Sequence, residues 1–336
     1  MRVSDLRIGI LGAARIAPSA LVRPARQTAG VVAAAVAARD PGRAAAFARK
    51  HGIPVVRDSY AALVEDPEID AIYNPLPNGL HAQWTVRALQ AGKHVLCEKP
   101  FTANAEEARN VAAAHRQAEA AHGRPLVLME AFHYRYHPLM ARVRELATQV
   151  GPVTRVEANM CFPLPAFNDI RYQYDLAGGA LMDAGCYALH VLRHAVPGNG
   201  EPVVTAARAK LLSKDRRVDR AMTVEVRYPG GASGRARASM WSSTLLDISA
   251  RIVGERGEVR VFNVVMPGMY HRLTSIVDGR RWTGKVRGDA TYTYQLRAFV
   301  AAVNGDASAN LTPPEDSIAT MTLIDAAYDQ AGLPRR

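Results

Sequence analysis

Arg7-Ile8-Gly9-Ile10-Leu11-Gly12-Ala13-Ala14-Arg15-Ile16-Ala17 decides the fold. Residues 7–12 read as a strand that runs into a glycine, and Ala13-Ala14-Arg15-Ile16-Ala17 opens a helix. This is the place of a G-x-G-x-x-G dinucleotide fingerprint, written here as Gly12-x-Ala14-x-x-Ala17. The first position makes the tight turn, the second must let the backbone approach a pyrophosphate, and the third must pack helix on strand. Alanine meets the last two demands with less clearance. The backbone N–H groups of the helix start then face the phosphates.

Working outward, Val31 to Ala37 is a second apolar strand, followed by Ala38-Arg39-Asp40-Pro41. A base here suits the 2′-phosphate of NADP, whereas an acid accepts from the ribose hydroxyl of NAD. Arg39 favours NADP. Asp40 leaves NAD as the alternative, unless it belongs to the start of the helix Pro41 to His51. Ile69 to Tyr73 is the next parallel strand, ending in the rigid loop Asn74-Pro75-Leu76-Pro77-Asn78-Gly79-Leu80-His81. His81 either caps the following helix locally or faces a cofactor. Val95, Leu96 and Cys97 form a buried strand that ends in Glu98-Lys99-Pro100. In open α/β sheets ligands sit outside the carboxyl ends of the strands, where Lys99 can aim an ammonium at them. A helix from Ala105 to Ala121 and a strand Val127 to Met129 follow, then Glu130 to Pro138, whose polar aromatics suit a lined crevice or a domain junction.

After Gly151-Pro152 the pattern changes. Val153 to Cys161, Met222 to Tyr228, Gly234 to Trp241, Ile248 to Val253 and Glu258 to Phe262 are β-rich, and most connections are too short for crossover helices. That predicts a largely antiparallel sheet. Two helices close the chain, the last with a capping box Thr312-Pro313-Pro314-Glu315 that places Pro313 at N1. In the stretch from Gly178 to His190, helical spacing puts Asp183, Tyr187 and His190 on one face. The resulting fold class is α/β, with parallel strands over 1–130 and a largely antiparallel sheet over 131–336.

A chain of 336 residues suits two domains. Its hydrophobic share of 49% and charged share of 22% are those of a globular protein, and no apolar run reaches the length of a membrane span. No signal-peptide pattern opens the chain. Cys97, Cys161 and Cys186 lack metal-ligand spacing and imply a reduced, cytoplasmic protein without a metal. The net charge of +11 raises a nucleic-acid partner. The arginines are scattered and no basic helix appears, so the excess reads as compositional bias plus attraction for anionic ligands.

Gly9 to Ala17, Asn78-x-x-His81, Ala91 to Pro100, Met129 to Pro138 and Gly178 to Tyr187 together resemble the glucose–fructose oxidoreductase/inositol dehydrogenase (Gfo/Idh/MocA) family over essentially the whole chain. Tyr187, where inositol-dehydrogenase-like members carry a His, is similar to the glucose–fructose oxidoreductase and dimeric dihydrodiol dehydrogenase branch. The resemblance implies an N-terminal Rossmann domain with a doubly wound parallel sheet over 1–130, and a C-terminal α/β domain on an open sheet over 131–336. It also implies an NAD(P)-dependent oxidoreductase, with Lys99 catalytic, the bond before Pro100 often cis, and the open sheet of the second domain serving as a homodimer or higher homo-oligomer interface. His133 departs from the Met usual in those relatives, and His190 is also unlike them; neither is given a role.

On that resemblance the expected reaction moves a hydride between nicotinamide and a C–OH/C=O carbon of a sugar, polyol or dihydrodiol. Tyr187 is the expected acid/base, and Lys99 lowers its pKa from the ~10 of a free phenol. Asp183 is the third catalytic candidate. The expected cofactor contacts are Gly12, Ala13, Ala14, Arg15, Ile16, Arg39, Leu76, Asn78, His81, Glu98, Lys99 and Arg171. A non-catalytic dinucleotide sensor of the same fold is the rival reading, and keeping both Lys99 and Tyr187 argues against it.

Overall fold

The computed structural model describes residues 5–336. The chain forms two compact units. The first runs to Tyr136 and takes in Ala290–Ile318; the second comprises His137–Asp289 and Ala319–Arg336.

The first unit holds the parallel strands β1 (Leu6–Leu11), β2 (Val31–Ala37), β3 (Val55–Arg57), β4 (Ala71–Asn74), β5 (His94–Cys97) and β6 (Leu128–Glu130). Their order is β3-β2-β1-β4-β5-β6, the doubly wound dinucleotide-binding order. Ile8, Ile10, Val36, Ile72, Tyr73, Val95 and Leu96 are all fully buried. Such apolar runs, covered on both faces, are what a parallel sheet requires. The crossovers are α1 (Arg23–Arg26), α2 (Pro41–His51), α3 (Tyr60–Val64), α4 (His81–Gln90) and α5 (Ala105–His122).

Local chemistry sets the helix ends. Asp40 accepts from the Arg43 N–H at 3.0 Å and caps α2. Asn104 accepts from the Glu107 N–H at 2.9 Å, while Glu107 returns a bond to the Ala103 N–H at 3.0 Å, so α5 begins in a reciprocal box. The helix after β1 does not open as a regular α-helix. Pro18–Val22 is π-wound and passes into α1, with Pro18 at its first position. The strand expected from Ile69 begins at Ala71, because the Asp70 carboxylate accepts from the Arg7 N–H at 2.8 Å and holds the entry to β4.

The second unit contains α6 (Pro138–Ala147), β7 (Val153–Cys161) and α7 (Cys186–His194). The strands β8 (Val203–Leu211), β9 (Asp219–Arg227), β10 (Ser233–Ser239), β11 (Asp247–Gly254), β12 (Gly257–Phe262), β13 (Arg272–Val277) and β14 (Arg280–Gly284) follow. The order is β14-β13-β12-β11-β7-β10-β9-β8, antiparallel except for the β10–β7 pair. One face is apolar, with Val156, Ala158, Met222, Val224, Ala236, Ala238 and Ile252 buried. α7 packs on β7 and β10, and α6 on β12.

α8 (Thr291–Val303) and α9 (Pro314–Gln330) end the chain, and the boundary between the units falls inside α9. The expected capping box at Thr312 is not what starts α9. The Thr312 hydroxyl donates to the Glu130 carbonyl at 2.7 Å, and its own carbonyl accepts from the Glu130 N–H at 3.1 Å. Thr312 is therefore tied to β6. Pro313 takes the cap position, its carbonyl accepting from Asp316 and Ser317.

Asn104→Ala should lower stability by about 1 kcal/mol through loss of the α5 cap. A denaturant titration against wild type measures it; an unshifted midpoint would remove the box from the account of that helix.

Candidate active site

The polar side chains of the first unit gather where its strands stop. Gly12 follows β1 with φ +86°, its N–H donating to the Ala37 carbonyl at 2.7 Å. A Cβ there would lie 3.2 Å from Leu76 and would be strained at that φ. Gly12 thus gives a tight turn pressed against the loop after β4. Ala13 and Ala14 are half-buried, and Arg15 and Ile16 are exposed. Small side chains and a bare turn before a helix fit a dinucleotide pyrophosphate. At the end of β2, Arg39 and Asp40 are exposed, but the Asp40 carboxylate is already engaged as the α2 cap.

Asn74 ends β4 fully buried, donating to the His81 carbonyl and to Thr85, both at 3.2 Å. Asn78 lies in the short 3-10 turn Asn78–Leu80 that leads into α4. His81 is also fully buried, with Nδ1 2.7 Å from the Pro100 carbonyl and Nε2 2.8 Å from the Leu76 carbonyl. Both ring nitrogens face backbone, so His81 braces the β4 loop against the β5 loop. Of the two expectations for His81, local bonding and a cofactor contact, the bonds present are the local ones. Burial lowers its pKa to about 4, outweighing the two carbonyls, and the Lys99 charge acts in the same direction.

Glu98 and Lys99 leave the end of β5. Glu98 is buried and its Oε1 accepts from the Tyr73 hydroxyl at 2.7 Å. Its Oε2 lies 3.3 Å from the Lys99 N–H. The Lys99–Pro100 bond is cis. Beside this group His133 is buried, with Nδ1 2.8 Å from the Thr291 hydroxyl and its ring 4.1 Å from that of Tyr292. Burial lowers the His133 pKa to about 3, helped by the Lys99 charge. Residues 133–136 form a short 3-10 turn with Tyr134 also buried.

Tyr73, Thr291 and Tyr292 are the members that sequence reading missed. Tyr73 carried a signal: it is the one hydroxyl-bearing aromatic in an apolar strand. Thr291 and Tyr292 carried none, because their place in the first unit depends on a chain return from residue 290.

The second unit carries Asp183, Tyr187 and Arg171. Asp183 lies in a π-wound turn, Leu181–Gly185, that precedes α7. The expected i, i+4, i+7 spacing of residues 183, 187 and 190 thus starts in a π-turn and continues into the α-helix. Tyr187 is the second residue of α7 and is 5% exposed. His190 is fully buried, its ring 4.4 Å from that of His194. Arg171 Nε is 3.1 Å from Asp183, and its Nη1 is 3.3 Å from Asp169. The Arg171 pKa is raised first by Asp183, then by Asp169. The three cysteines are buried and form no disulfide, and burial pushes the Cys97 thiol well up.

Residues 6–123 match the family model described as an oxidoreductase family with an NAD-binding Rossmann fold, and residues 140–260 match the GFO/IDH/MocA C-terminal domain. The chain belongs to the Gfo/Idh/MocA family. It is an NAD(P)-dependent oxidoreductase. Among relatives of this Gfo/Idh/MocA chain, D-xylose 1-dehydrogenase (NADP(+)) 2 of Haloferax volcanii is 38% identical over 97% of each chain. Trans-1,2-dihydrobenzene-1,2-diol dehydrogenase of Xenopus tropicalis is 32% identical over 73% of this chain and 70% of its own. Among solved structures, KijD10, a 3-ketoreductase from Actinomadura kijaniata in complex with NADP and TDP-benzene, superposes with a TM-score of 0.86. It is 27% identical, covering 97% of this chain and 98% of that one.

The buried histidines give a pH signature. His81 and His94 are lowered to about 4, as is His137, and His133 to about 3, chiefly by burial, from an ordinary 6.5. Their folded-state pKa values lie below the unfolded ones, so only the unfolded chain takes up these protons just below 6.5. Stability is therefore full above that pH and is lost as pH falls toward about 4, by up to about 1.4 kcal/mol per pH unit for each histidine. Melting temperature against pH should show the fall, and His133→Gln should make it shallower. A flat profile would contradict the neutral, buried state.

Proposed function

We propose that this oxidoreductase interconverts a C–OH and a C=O carbon on a sugar, polyol or dihydrodiol with NADP as the preferred cofactor. The observation that supports this most directly is the end of β5, where Tyr73 holds Glu98 and a lysine follows at once. The likeness to a xylose dehydrogenase over nearly the full length of both chains supports the substrate class. In KijD10, solved variants replace a lysine by alanine and a tyrosine by phenylalanine. Lys99 and Tyr187 are our choices for the same chemistry here.

When bound, the dinucleotide supplies or accepts the hydride. Gly12 to Ile16 would hold its pyrophosphate, Arg39 its 2′-phosphate, and Leu76, Asn78, Glu98, Lys99 and Arg171 the remainder. Tyr187 takes the proton of the substrate hydroxyl during oxidation and returns it to the carbonyl oxygen during reduction. The role we assign to Lys99 is to favour the phenolate, because an ammonium brought beside a phenol stabilises its charged form. Asp183, oriented by Arg171, accepts from a second substrate hydroxyl and is the next candidate for the proton. The division of labour we assign is dinucleotide binding to 1–130 and substrate binding with self-association to 131–336. We place the protein in the cytoplasm, in keeping with buried cysteines that form no disulfide, and as a homodimer or higher homo-oligomer.

Lys99→Met should lower kcat by roughly 10²-fold or more at an unchanged melting temperature, and Tyr187→Phe should do the same with cofactor affinity kept. Reduced-nicotinamide absorbance over a panel of sugars, polyols and dihydrodiols supplies the assay. If Tyr187→Phe keeps its rate and Asp183→Asn loses it, the proton passes to Asp183.

The cofactor preference is separable. A guanidinium forks onto a phosphate, and hydrogen bonds to charged groups contribute roughly 1.5–3 kcal/mol. Arg39→Ala should therefore weaken NADP(H) by about ten- to a hundredfold and leave NAD(H) binding nearly untouched. Fluorescence titration at fixed ionic strength reads both; equal weakening of the two nucleotides would rule out the phosphate role.

A further inference from the structure

Within the second unit, a buried cluster lies behind the turn that leads to Asp183 and Tyr187. Asp219, at the start of β9, is fully buried. Its Oδ1 accepts from the Tyr328 hydroxyl at 3.0 Å and from Arg336 Nη2 at 2.8 Å. Its Oδ2 accepts from the Leu181 N–H at 2.7 Å. The Arg336 side chain is wholly buried as well, so this ion pair is closed off from water. Arg336 Nε donates to the Gly178 carbonyl at 2.6 Å, and the guanidinium lies 4.1 Å from the Tyr328 ring centroid. Burial, reinforced by Asp219, pushes the Tyr328 pKa well up, so its hydroxyl stays a donor.

The cluster fills the space that the double glycine leaves. A Cβ on Gly179, at φ +140°, would lie 2.3 Å from Asp219 and 2.9 Å from both Arg336 and Tyr328. From the same turn, Gly179 N–H donates to the Arg171 carbonyl at 2.8 Å, and the Gly179 carbonyl accepts from the Asp183 N–H at 3.0 Å. Arg336 and Asp219 thus grip Gly178 and Leu181 on either side of the residue that is bonded to both Arg171 and Asp183. A charged pair in a dry site is an expensive way to hold a turn unless its placement matters, because desolvation opposes the pair.

We propose that Arg336 is a positioning residue: through Asp219 and Tyr328 it fixes the Gly178–Leu181 turn and with it the placement of Asp183 and Tyr187. The inference rests on the reading of Tyr187 as the acid/base. A small misplacement of a reacting group costs up to about 10²-fold in rate. Arg336→Ala should therefore lower kcat by roughly ten- to a hundredfold with KM and cofactor Kd kept. Free guanidinium ion at non-denaturing concentration should restore part of the rate. Hydrogen–deuterium exchange should rise over residues 178–187 and not across β7 or β11. Tyr328→Phe, which keeps the ring and removes one donor to Asp219, should give a smaller loss of the same kind, and it decides the matter if Arg336→Ala does not fold.

A folded Arg336→Ala with wild-type kcat would overturn the proposal, as would exchange that is unchanged over 178–187. Where Arg336→Ala does not fold, wild-type kcat in Tyr328→Phe overturns it. Full activity in Tyr187→Phe counts against the acid/base reading, and the exchange measurement stands apart from it.

Discussion

Burial of the parallel sheet on both faces is the constraint from which the first unit follows. β1, β4 and β5 are apolar and buried through their central residues, so the polar groups of the candidate site gather where the strands stop. Asn74, Glu98 and Lys99 stand at such ends, and each needs partners close by. Asn74 finds His81 and Thr85, and Glu98 finds Tyr73 from the neighbouring strand. His81 then ties the two loops through Leu76 and Pro100. A site that is rigid before any ligand arrives is what oriented chemistry asks for.

The parts of this arrangement that were legible in the sequence are those fixed by local chemistry. Val31–Ala37, Pro41–His51 and Val153–Cys161 fall where apolar pattern and flanking residues place them. The order of the parallel strands follows from their alternation with helices. The illegible parts depend on residues far apart in the chain. Thr312 looks like a helix cap, yet β6 offers it a carbonyl from 182 positions away. The π-turn at Leu181–Gly185 has no local signature, so the segment that carries Asp183 reads in the sequence as a regular helix. Asp40 could be read as ribose acceptor or cap, and only the bond to Arg43 decides its engagement.

The second sheet shows how part of the positive charge is used. On its polar face Glu157 is reached by Arg155 at 2.7 Å, Arg235 at 2.8 Å and Arg251 at 3.7 Å. Glu258 is shared by Arg251 and Arg260, both at 2.6 Å. Two carboxylates therefore organise four guanidinium groups across β7, β10, β11 and β12. Pairs of this exposure add little to stability. They do hold a face of the sheet in a fixed charge pattern, which scattered arginines in a sequence do not reveal.

The first unit is discontinuous, and that bears on how the protein is made. α8 packs on the turn His133–Tyr136 and on the helix start at Pro18–Val22, and Tyr292 stacks on His133. During synthesis these contacts arrive only after every strand of the second unit has left the ribosome. The dinucleotide half must wait, with the edge of β6 and the rings of His133 and Tyr134 uncovered, until residues 290–318 emerge. Its completion is thereby timed by the translation of the other unit, and the exposed interval is where a chaperone would find its target.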